Sequence, residues 1–238
     1  MTLPWPRIEQ TDPPRSPRET LPTMYDLPSE DPNEPGLPDV RFSESKDLFH
    51  ALQPQLLSAT LRLSTYASDN YFTGMDMNVY YDRRHLLWHK RPDWFLALGV
   101  PRLYDGVDMR LSYVTWQEDA NPFVVVELLS PGTEGDDLGR RSPQENRPPT
   151  KWQVYEQILR IPYYFLFDRY DNQFRAFGLR EGRYQPLGTV EQKIWLPELE
   201  LGLGVWHGTY HGVTHRWLRW YAQGDVWIPT PEERAERE

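Results

Sequence analysis

Apolar residues along the chain recur with two different periods. In residues 46–63, KDLFHALQPQLLSATLRL, they are spaced as on one face of a short helix. Pro54 should interrupt it, because proline lacks the amide that the helix ladder needs. From about residue 70 the apolar runs shorten and become aromatic and β-branched. NVYYD (78–82), DWFLAL (93–98) and LSYVTW (111–116) read as strands, joined by the turn-like DRRHLLWHKRP and QEDANP. FVVVELL (123–129) is apolar on both faces, as in a strand buried in the middle of a sheet. In TKWQVYEQILRI (150–161) the helical period returns: Thr150 caps it, Trp152, Tyr155, Ile158 and Leu159 share a face, and Pro162 stops it. YYFLFD (163–168) is a second buried strand. FRAFGLREGRYQPL (174–187) is a hairpin turning at Glu181-Gly182, and Trp- and Tyr-bearing hairpins continue to about residue 229. Thr230 as cap and Pro231 at the first helical position announce a terminal helix. The strand–helix–strand order over 123–168 predicts a mixed sheet with a crossover helix, and so an α/β fold.

Composition divides the chain. Ten of its 23 prolines fall in residues 1–40, among acids and serines with little periodicity. That predicts an extended or disordered segment over 1–44, with local docking around Met24–Leu27. Residues 45–229 form the folded domain, and 230–238 begin a charged helix too short to show heptads. The 238 residues suffice for one good core. There is no cysteine, which excludes a disulfide framework and thiolate metal sites and fits a reducing cytoplasm. The opening MTLPWPRIEQTDPP lacks the apolar stretch of a signal peptide, and no apolar run approaches the length of a membrane span. A net charge of −9 argues against broad, non-specific nucleic-acid binding. It does not argue against a nuclease whose acidic site binds cations.

Glu127 stands inside the buried FVVVELL strand, where a carboxylate is costly unless paired, protonated or bound to a cation. Strand alternation places Val125, Glu127 and Leu129 on one face. A second acid, Asp93, opens the strand DWFLAL, 34 residues upstream. Neighbouring strands would bring the two carboxylates within ~4–5 Å, a spacing that a divalent cation can bridge. Hard oxygen ligands favour Mg²⁺ or Mn²⁺. Lys151, 24 residues after Glu127, opens the next helix and could hold a water near such a metal. Asp136 and Asp137, in the loop between, are outer ligands or simply solvated. The plainer reading is that Glu127 is an ion-pair partner or an edge residue and Lys151 an ordinary surface lysine.

KRPDWFLALGV, NPFVVVELLSPGTEGDDLG and PPTKWQVYEQILRIPYYFLFD, followed by LPELELGLGVWHG, WLRWY and IPTPEE, together resemble the Uma2 family, a restriction-endonuclease-like group. The similarity runs over most of residues 45–232. It implies the mixed β-sheet flanked by helices of the PD-(D/E)xK nuclease superfamily, here with added β-hairpins. It puts Asp93 at the Pro-Asp acid and Glu127 at the second acid. The superfamily's usual lysine, two residues after the second acid, is replaced here by Leu129. In Uma2-like sequences the lysine sits on the following helix, in the order Asp, Lys, then Tyr one turn later. Asp137, Lys151 and Tyr155 match that order, and Ser130 matches a residue near the metal. The resemblance thus implies Mg²⁺- or Mn²⁺-dependent hydrolysis of DNA phosphodiesters, with the metal on Asp93, Glu127 and the Leu128 carbonyl. It leaves a second reading: a degenerate nuclease fold that binds nucleic acid or a protein. Nucleases that cut both strands often act as homodimers, and the sequence leaves the oligomeric state open.

Weaker signals point elsewhere. His207, His211 and His215 recur at steps of four, but Gly208 and Gly212 argue for strand and turn rather than a zinc-binding helix. The aromatic residues of 195–227 fill a small β-core or stack on bases. Arg140, Arg141 and Arg147 contact phosphates or lie in a solvated loop.

Overall fold

The computed structural model describes residues 16–23, 26, 28–29, 37–38, 48–129, 137–140 and 148–236. Most of the Pro-rich segment, with Met24, Tyr25 and Leu27, lies outside the described residues. What is described of it comprises helix α1 (Pro17–Thr20) and two short parallel strands, β1 (Pro28–Ser29) and β2 (Leu37–Pro38). The described stretch over 17–22 docks on the folded domain. There the Gln117 amide donates to the carbonyls of Pro17, Leu21 and Pro22, at 2.7, 3.3 and 3.3 Å.

Helix α2 (Leu48–Thr60) follows, then β3 (Tyr71–Met75), β4 (Val79–Tyr80), β5 (His89–Lys90), β6 (Trp94–Leu98), β7 (Tyr113–Val114), the helical turn α3 (Thr115–Glu118) and β8 (Val124–Leu129). Helix α4 begins as Lys151–Gln153 and continues as a π-helical turn, Val154–Ile158. After it come β9 (Tyr163–Asp168), β10 (Gln173–Arg180), β11 (Arg183–Leu187), β12 (Lys193–Leu196), β13 (Leu201–Tyr210), β14 (Val213–Ala222), β15 (Val226–Trp227) and helix α5 (Pro231–Ala235). The fold is α/β, restriction-endonuclease-like, with strands outnumbering helices.

A six-stranded central sheet has the order β11-β10-β9-β8-β6-β3. Only β8 and β9 in it run parallel, and α4 is their crossover. All six residues of β8 are buried, because the sheet is covered on both faces. On one face Trp94, Leu96, Val124, Val126, Leu128, Phe165 and Phe167 meet α2 and the aromatic side of a second sheet, β12-β13-β14-β15. On the other, Phe95, Val125, Leu129, Tyr164 and Leu166 meet Val154, Tyr155 and Leu159 of α4. A small sheet, β5-β4-β7, packs on the central one through Tyr113, whose ring meets Phe95 at 5.2 Å. Trp217 and Trp220 are buried in the core, as the small-β-core reading expects. The β10–β11 hairpin turns at Glu181 and Gly182, both with positive φ (50° and 78°), the geometry that suits a two-residue turn. Thr230 caps α5 in a reciprocal box with Glu233, and Arg219 clamps Glu233 and the Ile228 carbonyl.

Three expectations are corrected. Helix α2 runs unbroken through Pro54, whose burial beside Gln53, Leu56 and Leu57 offsets the missing ladder bond. The strand expected over 111–116 shrinks to Tyr113–Val114, because Thr115 begins a helical turn. The helix expected over 150–161 ends at Ile158 in π form. Its Leu159 amide reaches back five residues to Val154 O (2.8 Å), and Arg160 leaves the helix at φ 53°. The extra residue in that turn keeps Tyr155 and Leu159 on the sheet but rotates Ile158 outward to 43% exposure.

Gln53 ties α2 to the second sheet. At Leu218 the outer edge of β14 has no strand beside it, since β15 pairs only with Tyr221 and Ala222. The buried Gln53 amide supplies both missing bonds, donating to Leu218 O (2.9 Å) and accepting from Leu218 N (2.8 Å). Gln53→Ala should cost ~2–5 kcal/mol in urea unfolding, because it orphans two buried backbone groups. A loss below ~1 kcal/mol would mean that those groups find other partners.

Candidate active site

The site forms where β6 begins. The last register pair between β6 and β8 is Trp94 with Val126. The preceding residues are Asp93 and Pro92, and proline has no amide with which to extend the ladder. Beyond that point β8 offers Leu128 N–H and C=O with no strand opposite. The Asp93 carboxylate takes the Leu128 N–H on Oδ2 (2.7 Å). His50 Nε2, from the first turns of α2, lies 3.3 Å from Leu128 O. A carbonyl only accepts, so that ring nitrogen carries the proton in this contact.

Glu127 lies on the α4 face of β8, and its side chain is 1% exposed. Its Oε1 accepts the Tyr155 hydroxyl (2.8 Å). Its Oε2 accepts Lys151 Nζ (3.0 Å) and, at 3.4 Å, the Asp93 amide. Lys151 Nζ also lies 3.0 Å from Asp137 Oδ1. Asp137 is itself buried, and its carbonyl accepts the Tyr164 hydroxyl (2.9 Å). Gly139 lets that loop close on α4: its φ is +67°, and a Cβ there would stand 2.7 Å from Trp152 Cγ. At the start of α4, Thr150 accepts from Gln153 N in a capping box, which fixes the turn that carries Lys151.

Charge follows burial. Desolvation pushes the Glu127 carboxyl up to about 8; Lys151 opposes the rise, and Asp93 and Asp137 add to it. Burial alone would lower the Lys151 ammonium, but Glu127, Asp137 and Asp93 outweigh it and hold the amine protonated well beyond the usual lysine range. Burial and the Glu127 charge push the Tyr155 hydroxyl well above its ordinary value, so it stays a donor. The Lys151 side chain is 22% exposed and Asp93 is half-buried, so the site opens to solvent on their side, with Glu127 at its floor.

Asp93, Glu127, Leu128, Asp137, Lys151 and Tyr155 are therefore gathered in one place. Tyr155, one turn after Lys151, reaches Glu127. Ser130 and Asp136, like Arg141 and Arg147, lie outside the described residues. His207 and His215 lie on paired strands, with His211 in the turn between them. His50 was missed: a single histidine on a helix face carries no signal until α2 is laid against the end of β8. Glu156 was missed too. It is buried on α4 and accepts from Tyr184 N (2.8 Å), Trp152 Nε1 (3.3 Å) and Arg183 Nη1 (3.1 Å), a structural anchor for the π turn.

Among the described residues no three His, Cys, Asp or Glu side chains form a ready ligand cluster. The donors on offer are the Asp93 and Glu127 carboxylates and the Leu128 carbonyl. That set of hard oxygens fits Mg²⁺ or Mn²⁺, ions that keep several waters and take only one or two carboxylates from a protein.

A family model, Uma2, described as "Putative restriction endonuclease", matches residues 42–210. The chain belongs to the Uma2 family. The match contains every residue of the site and ends at the close of β13, although β14, beyond it, completes the second sheet. No curated protein matches the chain.

The ion pair generates a stability prediction. A raised carboxyl pKa means that the folded state binds the Glu127 proton more tightly than the unfolded chain does. Stability from this group is present below its ordinary value of 4.5 and is lost as pH rises through about 8. Lys151→Met removes the ammonium that limits this loss. Urea unfolding should show an added cost of ~1–2 kcal/mol at pH 9, because without the ammonium Glu127 keeps a proton that the wild type releases above about 8. The cost should shrink at pH 5, where Glu127 is neutral. An equal cost at both values would show that Lys151 does not offset the Glu127 charge.

Proposed function

We propose that this chain is a Mg²⁺- or Mn²⁺-dependent endonuclease that hydrolyses phosphodiester bonds of DNA. One observation carries the reading: Asp93 and Glu127 stand side by side where β6 begins, with the Lys151 ammonium 3.0 Å from Glu127. Family membership supports it.

Asp93, Glu127 and the Leu128 carbonyl would hold the metal, whose chemistry is to make a bound water nucleophilic near neutral pH. The chain's own residues do the rest. Asp93, locked by the Leu128 amide on Oδ2, keeps Oδ1 as its remaining acceptor. Tyr155 fixes the orientation of Glu127 through Oε1. Lys151 stays charged between Glu127 and Asp137, where it orients a water or stabilises charge on the phosphoryl oxygens. Its placement on a helix replaces a lysine at position 129. With no cysteine, the protein suits a reducing cytoplasm. Among the described residues no helix is long and apolar enough to cross a membrane. Cutting both strands would take two copies of this one-site chain, a homodimer.

A second reading is a degenerate nuclease fold that binds nucleic acid or a protein. The net charge of −9 and Leu129 at the usual lysine position favour it. Plasmid nicking in Mg²⁺ or Mn²⁺ separates the two. Wild-type protein should nick, and Glu127→Ala and Lys151→Ala should each lose at least ~100-fold, the scale of a removed transition-state contact. Loss in Glu127→Ala alone would keep the nuclease and remove the role given to Lys151. No nicking by folded wild-type protein would favour the binding module.

The nicking rate should also rise with pH as Glu127 sheds its proton near 8. Saturating Mn²⁺ should move that rise to lower pH, because metal and proton compete for one carboxylate. A rate independent of pH from 6 to 9 would place the metal elsewhere.

A further inference from the structure

A basic cluster lies at the same end of the sheet as the carboxylates. β8 and β9 run parallel, and their last register pair is Leu129 with Asp168. Arg169 comes next, at the carboxyl end of β9. It lies three residues past Leu166, the register partner of Glu127, and so ~10 Å farther along the strand direction. Its guanidinium carbon lies over Phe49, 5.5 Å from the ring centre, and 4.7 Å from the centre of the Tyr170 ring, whose hydroxyl it donates to (2.8 Å). The His215 ring meets Phe49 edge-on at 5.6 Å. His50 follows Phe49 on α2 and reaches Leu128 O, one residue from Glu127. One buried phenylalanine thus gathers Arg169, His215 and His50, all half-buried, beside the candidate active site.

Two carboxylates, Asp168 and Asp171, flank Arg169 in this turn. Asp168 accepts from Tyr170 N (2.8 Å) and Asp171 from Gln173 N (2.9 Å). Burial and the nearby Arg169 and His207 hold the His215 imidazole below its ordinary value. At neutral pH His215 is therefore an uncharged donor beside the Arg169 guanidinium.

We infer that Arg169, flanked by His215 and His50, is a phosphate-contact lip that holds the DNA backbone next to the bond being cut. The inference rests on the nuclease reading above. A chain of net charge −9 gains little from diffuse attraction to DNA, so phosphate neutralisation has to be local. A guanidinium binds in the plane of its fork, the geometry that phosphate oxygens accept. The carboxyl ends of parallel strands are also where open α/β sheets receive their ligands.

Binding of a short fluorescein-labelled DNA duplex, followed by anisotropy in a Glu127→Gln background that does not cut, tests the lip. Arg169→Gln should weaken binding by about tenfold and reduce the log–log salt slope by about 1. Arg169→Lys should restore the slope, because a point charge still neutralises a phosphate. Unchanged affinity and slope in Arg169→Gln, in a host that binds duplex, would overturn the lip and leave the nuclease reading intact. Equal weakening in Arg169→Gln and Arg169→Lys at unchanged slope would also overturn it, since that is the effect of unseating Phe49. If the host binds no duplex and the wild type nicks no plasmid, the nuclease reading falls and the lip with it.

Discussion

The arrangement turns on one carboxyl group buried in the middle of the central sheet. Glu127 sits on a strand with neighbours on both sides and layers on both faces, where an uncompensated charge would unfold the protein. Its partners come from the two directions the topology allows. Asp93 arrives along the sheet, from the antiparallel neighbour β6. Lys151 and Tyr155 arrive from above, on the helix that parallel pairing of β8 and β9 requires as a crossover. The connection that makes the sheet mixed is thus also the one that brings an ammonium to Glu127.

The position of the site follows from a break in the backbone ladder. Pro92 cannot donate, so pairing of β6 with β8 stops at Trp94, and Leu128 is left with an amide and a carbonyl to satisfy. A carboxylate takes the amide and an imidazole takes the carbonyl. An interrupted sheet edge leaves backbone and side-chain oxygens close together, which is the composition of a site for a hard cation. The same interruption brings α2 into the site through His50, and Phe49 beside it carries the contact on to Arg169.

Much of this was legible in the sequence, and the parts that were not share a cause. Strand alternation placed Glu127 with Val125 and Leu129, and the Pro-Asp step placed Asp93 at a strand start; both are local and survive in the fold. The Glu181-Gly182 turn and the Thr230 cap were readable because a dipeptide or a four-residue box decides them. Helix α2 was misread at Pro54, where burial against two sheets outweighs a missing hydrogen bond. The π turn was invisible because its cause lies elsewhere: Glu156 is drawn in by Trp152, Arg183 and the Tyr184 amide. His50, Gln53 and Arg169 gain their meaning only from strands distant in sequence, and no period in the chain announces such contacts.

Leu129 shows why moving the lysine need not remove it from the chemistry. Positions 127 and 129 share a face of β8, so a lysine at 129 would rise from the sheet ~6.6 Å beyond Glu127 and bend back toward it. Here that position is apolar and buried, and joins Val125, Tyr164 and Leu166 beneath α4. The ammonium comes instead from the helix above and meets the same carboxylate at 3.0 Å. The exchange has a structural consequence. A strand-borne lysine needs solvent over its own strand, whereas a helix-borne one lets the sheet stay packed and ties the ammonium to the capped first turn of α4, to Asp137 and, through Glu127, to Tyr155. The motif is broken as a string of residues and intact as a set of charges, and the charges are what a phosphodiester would meet.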